Sequence, residues 1–69
     1  MEMPRVARLA NDIAAQFPHQ GDAQAAQAVA AHMRQFWEPR MRAELVGMLS
    51  LPDPGLTARA RAAAELLTR

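Results

Sequence analysis

Prolines and glycines interrupt the sequence at three points, and these breaks constrain the fold more than any other feature. They fall at residues 18–21, at Pro39 and at residues 51–55. Between the breaks, alanine, leucine, methionine, arginine and glutamine dominate and β-branched residues are scarce, which favours helix over strand. We therefore predict an all-α fold. One small domain of residues 1–69 is expected to contain four short helices, near residues 4–17, 22–37, 39–50 and 57–68.

Apolar residues recur at helical spacing in every segment. The residues expected to face inward are Val6, Leu9, Ile13 and Phe17 in the first helix, Ala25, Val29, His32, Phe36 and Ala26, Ala30, Met33, Trp37 in two rows of the second, Met41, Leu45, Met48 and Leu49 in the third, and Ala60, Ala63, Leu66 and Leu67 in the fourth. The second helix is apolar over so wide an arc that we place it at the centre of the bundle or at its binding face. Because 16 of the apolar residues are alanine, the core is thin and should gain stability from a partner.

Local chemistry predicts several helix ends. Pro4 suits a first helical position, Asp22 is placed to be the N-cap of the second helix, and Thr57 is placed to cap the fourth. Pro39 should force a turn, since it lacks an N–H and restricts the residue before it. Gly47 lies within the third helix, where it either weakens the helix or admits a second backbone at close range.

Composition excludes several classes of protein. The chain has no cysteine, which rules out disulfides, thiolate zinc sites and cysteine-held iron–sulfur clusters. Its net charge is only +1, so nucleic acid is not an expected partner. No apolar stretch approaches the roughly 18 residues of a membrane span, and no signal peptide opens the sequence. We expect a cytoplasmic protein without a membrane partner.

No arrangement of residues predicts catalysis. His19 falls in a proline-glycine loop and His32 on a packed helix face, so neither is expected to bind metal or act as a base. The hydroxyls of Ser50, Thr57 and Thr68 fall at helix ends, as caps do. The three glycines are isolated and form no phosphate-binding loop. We predict no catalytic, cofactor-binding or metal-binding residue in this chain, and we do not expect it to be an enzyme by itself.

The segment at residues 32–42 concentrates side chains that are typical of binding surfaces. Its candidate partner-binding residues are Phe36, Trp37, Arg40 and Arg42. Phe36 and Trp37 are adjacent and point about 100° apart on a helix, so they cannot both face one neighbour. Phe36 is the more natural core residue and should act mainly through folding, whereas Trp37, Arg40 and Arg42 serve equally well as interface or structural residues.

The run from Phe36 to Arg42, Phe-Trp-Glu-Pro-Arg-Met-Arg, together with Asn11-Asp12-Ile13-Ala14-Ala15-Gln16-Phe17, resembles the delta subunit of cytoplasmic NAD-dependent formate dehydrogenases that contain molybdenum or tungsten. The likeness extends from about residue 3 to residue 67. Glu38 replaces the more usual aspartate, and a proline-rich loop at residues 51–55 replaces a glycine-rich one.

The resemblance implies a noncatalytic accessory subunit that binds the catalytic (alpha) subunit and supports assembly, stability or cofactor retention. The bis-pterin molybdenum or tungsten, iron–sulfur clusters, flavin and NAD of such enzymes would reside on other subunits. Isolated copies could self-associate through the same surface. A transient assembly chaperone of the same enzyme is the close alternative, and a small helix-turn-helix-like DNA-binding protein is the alternative from a different class.

Overall fold

A computed structural model describes residues 4–17 and 21–68 of the chain. The described residues are all-α, as the sequence predicted. The helices are α1 (Arg5–Ala14), α2 (Asp22–Phe36), α3 (Pro39–Gly47) and α4 (Ala58–Leu67), with a 3-10 turn at Met48–Ser50 that extends α3.

Helix α1 is shorter at both ends than predicted. Pro4 is the N-cap, with φ −54° and ψ 145°, so the helix begins at Arg5. At the other end the backbone tightens, because the N–H groups of Gln16 and Phe17 bond to carbonyls three residues back. Phe17 precedes a proline in the sequence, and a following proline disfavours helical geometry.

Helices α2 and α4 form the most extensive contact of any pair. Because α1 and α3 each contact α4 more than α2, α4 is more central than α2, which was predicted to lie at the centre of the bundle or at its binding face. Helices α2 and α4 run in the same direction. At their starts, Arg59 donates from Nε to Asp22 Oδ1 over 2.9 Å. At their ends, Arg34 donates from Nη2 to the carbonyl of Leu66 over 2.8 Å. Helices α1 and α3 pack against this pair and complete the bundle.

Alanine forms most of the core. Of the fourteen buried hydrophobic residues, nine are alanines, and the other five are Val6, Val29, Met33, Leu45 and Met48. Such small side chains let helix axes approach at the lower end of the usual 8–10 Å range. The core is therefore made mostly of small side chains at the contacts between helices.

Periodicity identified the inner side of α1 only in part. Val6 is buried as predicted, but Leu9, Ile13 and Phe17 are only partly buried. The fully enclosed row consists of Ala7, Ala10 and Ala14. The larger side chains flank that row and pack against the edge of the core, because small residues are needed where the helix backbones meet. In the third segment the prediction is confirmed for Leu45 and Met48, which are buried, whereas Met41 and Leu49 are only partly buried.

Helix caps give mixed results. Thr57 caps α4 as predicted, since its Oγ1 accepts from the N–H of Ala60 over 3.2 Å. The prediction that Asp22 is an N-cap was wrong: Gly21 holds that position, and Asp22 is the first residue of α2. Its carboxylate pairs with Arg59 instead. An acid in the first turn still interacts favourably with the helix dipole.

The loop before α4 is fixed to α1 by one amide side chain. Asn11 donates from Nδ2 to the carbonyl of Gly55, and its Oδ1 accepts from the N–H of Thr57, both over 2.9 Å. Gly55 has φ 80°, a left-handed conformation that glycine adopts without strain. Asn11 therefore sets the start of α4 relative to α1.

Gly47 does not admit a neighbouring backbone, because no atom lies within 4 Å of where its Cβ would be. That interpretation was wrong, and the glycine marks the change from α-helix to 3-10 geometry. No helix among the described residues is long and apolar enough to cross a membrane.

Candidate partner-binding surface

The predicted interface residues lie where α2 turns into α3. We call residues 36–40 the α2–α3 corner. Trp37 and Glu38 are extended, with ψ of 143° and 149°, and Pro39 occupies the first helical position of α3. The N–H of Trp37 still bonds to the carbonyl of Met33, and the N–H of Arg42 bonds to that of Glu38. The predicted break is confirmed, and backbone hydrogen bonds hold it on both sides.

The two aromatic residues of the corner point in different directions, as their adjacency required. Trp37 is partly buried and packs against the core. Phe36 is 66% exposed, so the expectation that it belongs to the core was wrong. The reason is the length of the neighbouring helix. Arg34 already reaches the last turn of α4 at Leu66, and α2 continues beyond the point where α4 could cover it.

One side of Phe36 is supported by His32, one turn earlier on α2. The two ring centroids are 4.8 Å apart, with the planes tilted by 41°. Tilted ring pairs at this distance are attractive, so His32 limits the movement of the exposed phenyl ring. His32 itself is half-buried. This pair presents a fixed apolar projection at the corner.

Arg40 and Arg42 have different environments although they are two residues apart. Arg40 is exposed and makes no hydrogen bond or ion pair with any residue that the structure describes. Arg42 is half-buried, and its Nη1 donates to the carbonyl of Arg34 over 2.8 Å. The Arg34 carbonyl comes one residue after that of Met33, which accepts from the N–H of Trp37 at the end of α2. Arg42 therefore ties α3 to the end of α2, whereas Arg40 makes no comparable contact with the described part of the chain.

Arg34 is a residue that sequence reasoning missed. Its guanidinium joins α2 to the last turn of α4, and its carbonyl receives Arg42. The two arginines line a surface depression of about 430 Å³ with Ala43, Val46 and Leu67. The only sequence signal was the position of Arg34 in the last turn of α2, where a cation is favourable.

A second groove lies between α1 and α3. Its volume is about 540 Å³, and its apolar lining includes Val6, Leu9, Met41 and Met48. Arg5 and Glu44 stand at its edge with opposite charges. Met41 was predicted as core but is partly exposed along this groove.

The described residues contain no group of three histidine, cysteine or acidic side chains that could hold a metal ion. His19, which was not expected to bind metal or act as a base, lies outside the described residues. Ser50 and Thr68 donate from their hydroxyls to the carbonyls of Gly47 and Glu65, three residues back in each case. Both therefore act at helix ends, as predicted.

The family comparison covers nearly all of these elements. Residues 5–64 match the family described as NADH-dependent formate dehydrogenase delta subunit FdsD. This range includes the corner, the Asn11 contacts and most of α4. No curated protein and no solved structure matches the chain significantly. Because the family model spans most of the sequence, the chain belongs to the family of NADH-dependent formate dehydrogenase delta subunits.

Proposed function

We propose that this chain is a noncatalytic accessory subunit that binds the catalytic subunit of an NADH-dependent formate dehydrogenase through the α2–α3 corner. One observation carries the location of the interface: an exposed phenylalanine, Phe36, and an arginine that pairs with no described residue, Arg40, lie at a turn with backbone hydrogen bonds on both sides. Aromatic and arginine side chains supply most hot spots in protein interfaces. Trp37, within the same turn, packs against the core.

The role of the subunit is to support assembly, stability or cofactor retention in its partner. The thin alanine core supports this proposal, because a folded state bound to a partner gains stability that the isolated chain lacks. We assign no cofactor to this chain. The bis-pterin molybdenum or tungsten, iron–sulfur, flavin and NAD groups belong to the other subunits, in a cytoplasmic enzyme. Metal analysis of the purified chain tests this assignment, and stoichiometric metal would contradict it.

Binding of the purified catalytic subunit tests the proposed interface. Phe36→Ala combined with Arg40→Ala should raise the dissociation constant by about 30-fold or more, as expected for loss of an interface hot spot of about 2 kcal/mol. Arg61→Ala is the matched control, since Arg61 is an exposed arginine on α4 and should change binding by less than about twofold. Equal binding by the double variant and the control would place the interface elsewhere.

A transient chaperone would use the same surface, with a faster dissociation rate. Counting copies of this chain in the purified enzyme separates the two roles: one copy per catalytic subunit indicates a permanent subunit. Self-association through the corner would compete with partner binding. It should appear as a mass that rises with concentration and falls back when Phe36 is replaced by alanine.

A DNA-binding role receives less support from the arrangement of the arginines. A helix-turn-helix protein would direct α3 arginines at phosphate groups, yet Arg42 is engaged with the end of α2. A salt-dependent gel shift with random duplex DNA tests this alternative.

A further inference from the structure

The depression beside the corner combines two cations with an apolar floor. Arg34 and Arg42 stand at its edge, and Ala43, Val46 and Leu67 complete its lining. No acidic residue belongs to this lining among the described residues. Neither arginine forms an ion pair with a residue that the structure describes. The ion pair among the described residues joins Arg59 and Asp22. Two like charges thus line one depression without a counter-charge among the described residues.

The two guanidinium groups are held by backbone carbonyls. Arg42 donates one N–H, from Nη1, to the carbonyl of Arg34, and Arg34 donates from Nη2 to the carbonyl of Leu66, each over 2.8 Å. A guanidinium has five N–H donors, so each arginine keeps donors that these contacts do not use. Because both side chains are already oriented, a ligand would lose little binding energy in ordering them.

We propose that this depression receives an acidic side chain of the formate dehydrogenase catalytic subunit, a carboxylate that bonds to Arg34 and Arg42. The inference rests on the proposed function and adds the chemistry of the partner. Planar guanidinium groups bind carboxylates through paired hydrogen bonds. The depression, with a volume of about 430 Å³ and an apolar floor, is larger than one carboxylate group. An apolar side chain next to the acidic residue of the partner therefore fills the remaining volume.

Ala43 offers the sharpest test, because it is exposed on α3 and lines the depression. In Ala43→Glu, the new carboxylate occupies the two arginines and excludes the partner's acid. Ala43→Gln has the same size without the charge. Binding of each full-length variant to the purified catalytic subunit is measured at low and high sodium chloride. We expect Ala43→Glu to raise the dissociation constant about tenfold at low salt and less at high salt, where charges are screened.

The controls separate the possible explanations. Ala43→Gln should stay within about threefold of the unmodified chain, and equal losses for Gln and Glu would indicate crowding and overturn the proposal. Ala23→Glu adds the same charge eleven residues before Arg34, about 16 Å along the helix, and should leave binding unchanged. Circular dichroism of every variant verifies the fold.

Two further outcomes identify the source of a failure. If the unmodified chain does not bind the catalytic subunit, the proposed function fails and this inference with it. If the unmodified chain binds and Ala43→Glu matches Ala23→Glu, the inference alone is wrong. Phosphate that weakens binding more than sodium chloride of equal ionic strength would indicate a small anion as the occupant, and would also overturn it.

Discussion

The interior around α2 and α4 and the α2–α3 corner are built from opposite kinds of residue. In the interior, alanines such as Ala30 and Ala63 are fully enclosed. At the corner, the larger side chains of Phe36, Trp37 and Arg40 are exposed or half-exposed. Small side chains predominate where the helices meet, whereas the corner exposes bulky ones. In this chain, therefore, side-chain size is a poor guide to burial.

Among substitutions that add a larger side chain, the largest effect should come from filling the alanine interior. Ala30→Leu adds volume at a fully buried position and should destabilise the fold by about 2 kcal/mol. For a domain of this size, that loss lowers the melting temperature by about 8–16 °C. Ala31→Leu is the matched control, because Ala31 is the next residue and is exposed; its effect should be about 0.5 kcal/mol or less. Equal melting temperatures for the Ala30→Leu and Ala31→Leu variants would show that the interior can accommodate the leucine side chain.

A smaller effect should separate the two arginines of α3. Arg42→Ala removes the hydrogen bond to the carbonyl of Arg34 and should cost about 1 kcal/mol of stability. Arg40→Ala removes no contact with a described residue and should cost less than about 0.5 kcal/mol. Urea unfolding of the two variants measures the difference. If both variants unfolded at the same urea concentration, Arg42 would contribute to stability no more than a freely exposed arginine does.

The smallest effect on stability is expected at Phe36. Phe36→Ala should change the free energy of unfolding by about 0.5 kcal/mol or less, since the ring is mostly exposed. Met33→Ala, one turn earlier and fully buried, should cost about 2–5 kcal/mol. Thermal unfolding of both variants gives the comparison. A loss at Phe36 close to that at Met33 would make the corner part of the core.

Sequence alone predicted the features that depend on neighbouring residues. The turn at Pro39 and the cap at Thr57 are confirmed, because a missing N–H and a nearby hydroxyl act within a few residues. The Asp22 cap was wrong because its carboxylate pairs with Arg59, which is distant in sequence. Neighbouring residues alone do not predict an ion pair between residues that are far apart in the sequence.

At the candidate site, the sequence predicted the turn but not the environment of each side chain. Helical spacing placed Phe36 on the same face of α2 as Val29, but spacing alone does not show where the helix that packs on this face, α4, ends. Arg34 was missed for a related reason, since its importance depends on Leu66 and Arg42. The direct role of Phe36, Trp37, Arg40 and Arg42 in partner binding stays a prediction.

The amide of Asn11 also has a consequence for the order of folding. It joins residues that are 44 and 46 positions apart, and contacts between such distant residues form slowly because a long loop must close first. During synthesis, α1 therefore lacks its contacts with α4 until Thr57 and the residues after it have been made. An aspartate at this position could not donate to the Gly55 carbonyl. The newly made chain would then lose the hydrogen bond that holds the Gly55 carbonyl to α1, and the docking of α4 would be less firmly fixed.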